Sequence, residues 1–403
     1  MSTKYPGGII SKTVPTVVPP TNGEGGSASG VWTMDQAEYY IANGTWPLPI
    51  KARGLWSWGA NNHGQLALGN ITYYSSPKQV GSLTNWLSIS CGAYNTISTK
   101  SDGTLWTWGY NNYGELGLGN KAKYSSPKQV GSLTTWSSVS SAYESSLAIK
   151  TDGTLWTWGR NVYGGLGLSN TTNYSSVKQV GALTNWSKII GGASYAIAVK
   201  TDGTLWSWGY NAQGQLGVGN ITNYSSPKQV GALTNWATAA GGGFHVIATK
   251  TDGTLWAWGY NLNGQLGLGN TTYYSSPKQV GSLTSWLQVA CGYTYSVAIK
   301  TDGTIWSWGN GATYGQLGLG NLTSYSSPKQ IGALTNWSKV ACGRQHTLAI
   351  KTDGTFWDWG MNNSYGQLGD GTLIGKSSPI QIGALTTWLN IAGGRYFTTA
   401  LKS

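Results

Sequence analysis

Leu55-Trp56-Ser57-Trp58-Gly59 is the first of seven copies of one phrase in this chain, and its leading tryptophan returns at Trp106, Trp156, Trp206, Trp256, Trp306 and Trp357. The interval is 50 residues five times and then 51, with Ile305 and Phe356 replacing the leucine in the last two copies. Neighbouring residues recur with the phrase, so the unit is a repeat of about fifty residues. In such arrays each unit buries its apolar face only against its neighbours. A length of 403 residues therefore does not by itself imply several domains.

Reading outward from Trp256 gives the repeat its parts. Trp236-Ala-Thr-Ala-Ala240 is a short apolar strand, A, that ends at Gly241-Gly-Gly243. Val246 to Lys250 is a second, B. Thr251-Asp252-Gly253-Thr254 follows, and Asp-Gly between two apolar runs is a strong hairpin signal. Leu255 to Gly259 is strand C, with both tryptophans on one face because strand side chains alternate. A Gly-rich loop, Tyr260 to Asn270, leads through Pro277 to Lys278-Gln-Val280, strand D, where a proline fits an outer edge. Four antiparallel strands repeated seven times predict an all-β, seven-bladed propeller of four-stranded antiparallel blades. A β-solenoid fits less well, since its coils are shorter and need no Asp-Gly hairpin.

The ends of the array support closure. Arg53-Gly54-Leu55 opens on strands C and D alone, and Trp388 to Lys402 supplies A and B alone. Two halves make one blade, so residues near 390–403 should pair with residues near 53–81 and leave no open edge.

Composition agrees with a Trp-built core. All 23 tryptophans have a place: the seven Trp-x-Trp pairs, the seven Thr-x-Trp steps from Trp86 to Trp388, and Trp32 and Trp46. Charged residues are 9% and the net charge is +12. Lysines recur in Pro/Val-Lys-Gln (Lys78 to Lys329) and at the end of strand B (Lys100 to Lys402), which reads as an outer lysine ring without matching acids. Contact with nucleic acid by such a ring is conceivable. The chain offers no groove-reading element, so nucleic acid is not expected as a partner. No apolar run is long enough to span a bilayer, and Met1-Ser-Thr-Lys-Tyr-Pro-Gly-Gly is no secretory signal. Cys91, Cys291 and Cys342 occupy one column of different repeats, too far apart to bridge, and read as free buried thiols of a reducing compartment.

Catalytic and cofactor signals are missing. His63, His245 and His346 sit in different repeats. The Asp of Thr-Asp-Gly is turn chemistry rather than a paired carboxylate. No His/Cys/carboxylate cluster has metal spacing, and Gly-Gln-Leu-Gly-Leu-Gly lacks the helix of a phosphate loop. Neither enzyme activity nor a cofactor is expected.

Residues 1–50 form a separate segment ahead of the propeller at 51–403. Residues 1–30 read as an extended tether. Thr33, Asp35 and Gln36 signal the start of a short helix over about 33–43. Such a helix is too short to stand alone, so Trp32, Tyr39, Tyr40 and Trp46 are candidate attachment residues, either to the propeller or to a partner.

The repeat resembles the repeat family of the regulator of chromosome condensation. The residues that carry the resemblance are Gly343-Arg-Gln-His346-Thr-Leu-Ala-Ile350, then Asp-Gly-Thr-x-Trp-x-Trp-Gly, then Asn261 to Gly269. The resemblance implies a seven-bladed propeller serving as a binding platform. The founding member of the family is an exchange factor for a small GTPase that uses a wedge inserted in one blade. The repeats here are too uniform to hold one, and the family His column keeps only His245 and His346, against Asn95, Ser145, Tyr195, Tyr295 and Phe397. The leader, Ser27 to Ala37 with Asn43-Gly-Thr-Trp46-Pro47, resembles a segment of virion structural proteins of tailed bacteriophages.

Comparison of the seven copies divides the surface. Thr-Asp-Gly-Thr and Gly-Ser/Ala-Leu-Thr-x-Trp barely change, and they form the B–C and D–A connections of one face. The A–B turns and the starts of the C–D loops vary, and they belong to the opposite face. Tyr94, Tyr113, Tyr143, Arg160, Tyr293, Arg344, Arg395 and Tyr396 are the binding candidates there, since Tyr and Arg are favoured in hot spots. The reading carried forward is a non-enzymatic phage virion component (decoration, fibre or host attachment). Residues 1–50 would hold other virion proteins, and the varied face would meet a host receptor or glycan. The alternatives are a cytoplasmic protein–protein interaction scaffold and a carbohydrate-binding propeller.

Overall fold

Thr-Asp-Gly-Thr does what the hairpin reading requires. Asp252 Oδ1 accepts from the Thr254 amide at 2.9 Å and from its hydroxyl at 2.7 Å, and the Thr254 Oγ1 in turn accepts from Trp256 Nε1 at 2.9 Å. The same Asp–Thr–Trp relay stands in six blades. These bonds hold the aspartates below the ordinary carboxylate range. In this repeat strand A is Trp236–Gly241, B is His245–Lys250, C is Leu255–Gly259 and D is Tyr274–Gln279.

The computed structural model describes residues 52–362 and 364–403, together with a two-stranded ladder of Val17–Val18 on Ser27–Ala28. The expected helix over 33–43 and the candidates Trp32, Tyr39, Tyr40 and Trp46 lie outside the described residues. Arg53–Ser403 is one compact unit. It is built of seven four-stranded antiparallel sheets, each in the order A-B-C-D. Six blades begin at Trp86, Trp136, Trp186, Trp236, Trp286 and Trp337. The seventh joins Trp388–Gly393 and Phe397–Lys402 to Gly54–Gly59 and Tyr74–Gln79. Its register runs from Gly54↔Lys402 to Gly59↔Phe397, so the two ends of the array close the ring as expected. Each A strand touches those of the two adjacent blades, and the seven surround a central channel.

Blades are held to one another by the second tryptophan of each pair. Trp258 Nε1 donates to the Gln215 carbonyl of the preceding blade at 3.0 Å, and the pattern repeats seven times. Trp58 closes the series by reaching Gln367 O at 2.9 Å. These indoles are fully buried, and a buried N–H left without an acceptor would be costly. Around each latch the apolar side chains of two blades merge: Ile197 and Leu205 of one blade meet Trp236, Val246 and Trp258 of the next.

The lysines correct one expectation. Those ending strand B are not an outer ring: Lys100 Nζ lies 3.7 Å from the Trp106 ring centre and 4.7 Å from that of Trp86. The arrangement recurs from Lys150 to Lys351, and Lys402 lies 4.5 Å over Trp56. Strand alternation turns the alkyl stem onto the Trp pair, and cation–π attraction holds the ammonium there. Of the two recurring sets, it is the Pro/Val-Lys-Gln lysines that stand on the outer rim, each above its strand-D tyrosine.

The latch also dictates a glycine. Gly217 has φ +71°, and a Cβ there would fall 2.6 Å from Trp258 Nε1. Six copies keep this glycine, while the first has Ala67 at φ 62°. A non-glycine residue in the left-handed region costs about 1–2 kcal/mol. Gly217→Ala should therefore lower the urea midpoint, by the equivalent of about 2 kcal/mol once the indole is displaced. Ala67→Gly should raise it by about 1 kcal/mol. Equal losses from both substitutions would contradict this account.

Candidate functional site at the channel mouth

Each A–B turn places three residues at one end of the channel. The middle one is Ala93, Tyr143, Ala193, Gly243, Tyr293, Arg344 or Arg395 in successive blades. Their amides form a closed ring of hydrogen bonds, each donating to the next blade: Ala93 to Tyr143 O, Tyr143 to Gly192 O, Ala193 to Gly242 O, Gly243 to Tyr293 O, Tyr293 to Arg344 O, Arg344 to Gly394 O and Arg395 to Ala93 O, at 3.0–3.4 Å. The ring fixes the mouth and takes one backbone donor from each turn. Bonds such as Tyr110 N to Tyr94 O and Ala60 N to Tyr396 O tie the start of each C–D loop to an A–B turn, so the two variable connections share a face.

Side chains at the mouth form two arcs. The first is cationic. Arg344 lies 4.6 Å over Tyr293, and Arg395 lies 5.2 Å over Tyr94, 5.0 Å over Tyr396 and 5.8 Å over Tyr143. Arg344 Nη1 donates to the Tyr396 hydroxyl at 3.4 Å, and Arg395 Nη1 donates to that of Tyr94. Desolvation raises the Tyr94 and Tyr143 phenols above their ordinary value, so they stay neutral. His63 extends the arc edge-on to Tyr94, at 5.1 Å. The second arc is aromatic. Phe244 packs on Tyr210 at 5.9 Å, Tyr260 at 6.3 Å and Tyr293 at 5.7 Å, and Tyr163 packs on Tyr210 at 4.7 Å.

Six of the eight sequence candidates thus converge: Tyr94, Tyr143, Tyr293, Arg344, Arg395 and Tyr396. Tyr113 and Arg160 form a separate pair on the C–D side, with the guanidinium 5.1 Å over the ring. Arg160 is also taken by Glu144. Sequence reasoning did not single out Phe244, Tyr210 and Tyr260 as a ledge, because their proximity, with that of Tyr293, crosses three blades. The signal available was their shared place at variable turn positions.

The titratable groups near this face do not assemble into a reacting set. His245 Nε2 meets Ser296 Oγ at 3.0 Å and His346 Nε2 meets Thr398 Oγ1 at 3.1 Å, blade to blade. Burial lowers both imidazoles to about 3, so they are neutral struts. Tyr195 and Tyr295 play the same part, donating to His245 O at 2.7 Å and His346 O at 2.6 Å. Cys91, Cys291 and Cys342 are free and partly exposed along the channel wall rather than fully buried. Desolvation pushes the Cys91 and Cys342 thiols up to about 12, so thiolate is scarce at neutral pH. Glu115 replaces the glutamine of the latch position, accepts from the Tyr113 amide at 2.9 Å and is raised to about 7 by burial. Among the described residues no group of three or more His, Cys, Asp or Glu could hold a metal ion.

Models of the regulator of chromosome condensation (RCC1) repeat match residues 54–98, 102–149, 152–199, 202–249, 252–299, 302–350 and 353–401. The chain belongs to the RCC1 repeat family. Part of it is similar to the ultraviolet-B receptor UVR8 of Arabidopsis thaliana, 39% identical over 71 residues, covering 17% of this chain and 16% of the receptor. Another match is the probable E3 ubiquitin-protein ligase HERC3 of Homo sapiens, 37% identical over 78 residues, covering 19% of this chain and 7% of the ligase. The matched segments span less than a fifth of these relatives. Among solved structures, human WBSCR16 superposes with a TM-score of 0.79 at 23% identity, covering 88% of this chain and 99% of that one. Prp20p of Saccharomyces cerevisiae, described with its binding to Gsp1p and histones, gives 0.78 at 19% identity, covering 88% and 92%. These likenesses establish the RCC1-type propeller fold. None of them supports the virion reading of the leader, a host-receptor role or a glycan partner.

One position in this RCC1-type ring stands out chemically. The residue between the paired tryptophans donates its hydroxyl to the C–D loop in five blades, as Ser207 does to Leu216 O at 2.7 Å. Asp358 occupies that position fully buried, with neither carboxylate oxygen hydrogen-bonded. Desolvation holds its pKa well above the ordinary value, so the folded chain keeps a proton that the unfolded chain releases. Its contribution is intact below the ordinary carboxyl pKa of about 4 and is lost as pH rises toward the folded value. Asp358→Thr should accordingly stabilise the protein more at pH 8 than at pH 4, read as the difference in urea midpoint. A difference that does not change with pH would contradict this.

Proposed function

We propose that this chain is a non-enzymatic protein–protein interaction scaffold of the cell, and that the face bearing the A–B turns and C–D loops is where partners dock. The observation that carries the reading is the division of labour among the copies. Residues identical from blade to blade serve the relay, the latch and the hairpins, while the variable residues gather at the mouth as exposed or half-buried Tyr, Phe and Arg. An array bound to a symmetric framework gains nothing from such variation; recognition of an asymmetric partner does. The neutral histidines and isolated carboxyls support a binding role over a chemical one. The relatives named above come from plants, humans and yeast, which favours the cellular scaffold over the virion component as the reading to carry forward.

A photo-crosslinking residue introduced at Tyr143 or Tyr163 should capture partner proteins in cells of the source organism. The same residue at Leu133 or Leu283, exposed on the D–A connections of the opposite face, should capture few. Equal capture from both faces, or capture only from the leucines, would overturn the reading.

A further inference from the structure

We infer that the channel mouth receives an acidic peptide segment, with carboxylates set between Arg344 and Arg395 and an adjacent apolar or aromatic residue on the Phe244 ledge. The inference rests on the docking face proposed above and names the chemistry of its partner.

Charge is the first argument. Among the described residues, no ion pair joins Arg344 or Arg395 to a carboxylate. The nearby Glu144 is engaged by Arg160, and Glu115 is fully buried in its loop. Two guanidinium groups on adjacent blades therefore stand at one opening without a counter-ion. The Nε of each is buried and lacks an acceptor.

Preorganisation is the second. A long cationic side chain ordinarily loses much rotamer freedom on binding. Here the tyrosine faces and hydroxyls already hold both guanidinium planes, at 4.6 Å over Tyr293 and 5.0 Å over Tyr396. A held planar fork matches a carboxylate through two parallel hydrogen bonds. One backbone amide of each turn is taken by the ring of inter-blade bonds. The cationic groups held at the mouth are these two side chains, which limits the site to a small number of charges.

The third is the shape of the rim. On the side away from the arginines the turn residues lining the cavity are Ala193 and Gly243, and Phe244 follows the glycine in sequence. A peptide can thus enter over the small residues, lay an apolar side chain on Phe244 and Tyr210, and present its carboxylates to the far side. Nucleic acid fits this opening less well. The tyrosine faces that would stack on bases are covered by guanidinium, and the exposed lysines of strand D lie on the outer rim.

Fluorescence anisotropy of the full chain with a fluorescein-labelled glutamate–tryptophan peptide tests the inference. Saturable binding is expected, weakening as salt is added, and weaker by about tenfold or more in Arg344→Gln and again in Arg395→Gln. The rim variant Lys78→Gln/Lys128→Gln removes two positive charges, more than either arginine variant, and should bind as the unmodified protein does, and matching melting temperatures show that all variants are folded. Lack of binding, equal weakening by the rim variant, or tighter binding of a single-stranded oligonucleotide would each overturn the acidic-peptide assignment. If crosslinks from Tyr143 and Tyr163 persist while the peptide fails, the docking face stands and only its proposed ligand class falls.

Discussion

The hydrogen bond from a buried indole to the carbonyl of the preceding blade is the constraint on which this propeller depends. It recurs seven times, from Trp108 to Gln65 O through Trp58 to Gln367 O. Because each bond joins two blades, none can be satisfied within a single repeat. The glycine beside six of the seven indoles, the lysine over the partner tryptophan and the Asp–Thr–Trp relay all serve to place it. A blade alone would leave the latch donor buried and unpaired, which is why the ring must close. Phe397–Lys402 closes it by pairing along Gly54–Gly59.

That constraint also frees one face. With blade-to-blade cohesion supplied by tryptophan, serine, threonine, tyrosine and histidine inside the ring, the A–B turns need contribute only backbone bonds. Their side chains can differ without disturbing the fold. Evenly spaced blades then display Tyr143, Tyr293, Arg344 and Arg395 on a fixed circle, so a recognition surface can be varied on a rigid frame.

Much of this was legible in the sequence. A period of about fifty residues, an Asp-Gly hairpin and half-repeats at the two ends lead to a closed seven-bladed ring, because each is a local signal tied to one physical cause. The division into a monotonous and a varied face followed from strand order, and six of the eight residues chosen on that basis meet at the mouth. The strand-B lysines were misread because their spacing from the Asp-Gly turn describes sequence neighbours, whereas Trp86 and Trp106 approach Lys100 from two other strands. Asp358 gives no signal as a charged residue among hydroxyls until its burial is known. The Phe244 ledge was similarly hidden, since it forms only when three blades stand side by side.

The paired tryptophans are chemically unequal, and indole hydrogen exchange followed by NMR on tryptophan-labelled protein measures that directly. The Nε1–H of Trp58, Trp108, Trp158, Trp208, Trp258, Trp308 and Trp359, held by carbonyls between blades, should exchange only with global unfolding. Those of Trp106, Trp156, Trp206, Trp256, Trp306 and Trp357, half-buried and bound to a threonine hydroxyl within their own blade, should exchange faster. Equal protection of the two sets, or early exchange at Trp58 alone, would contradict a ring latched equally at every blade and closed through its ends.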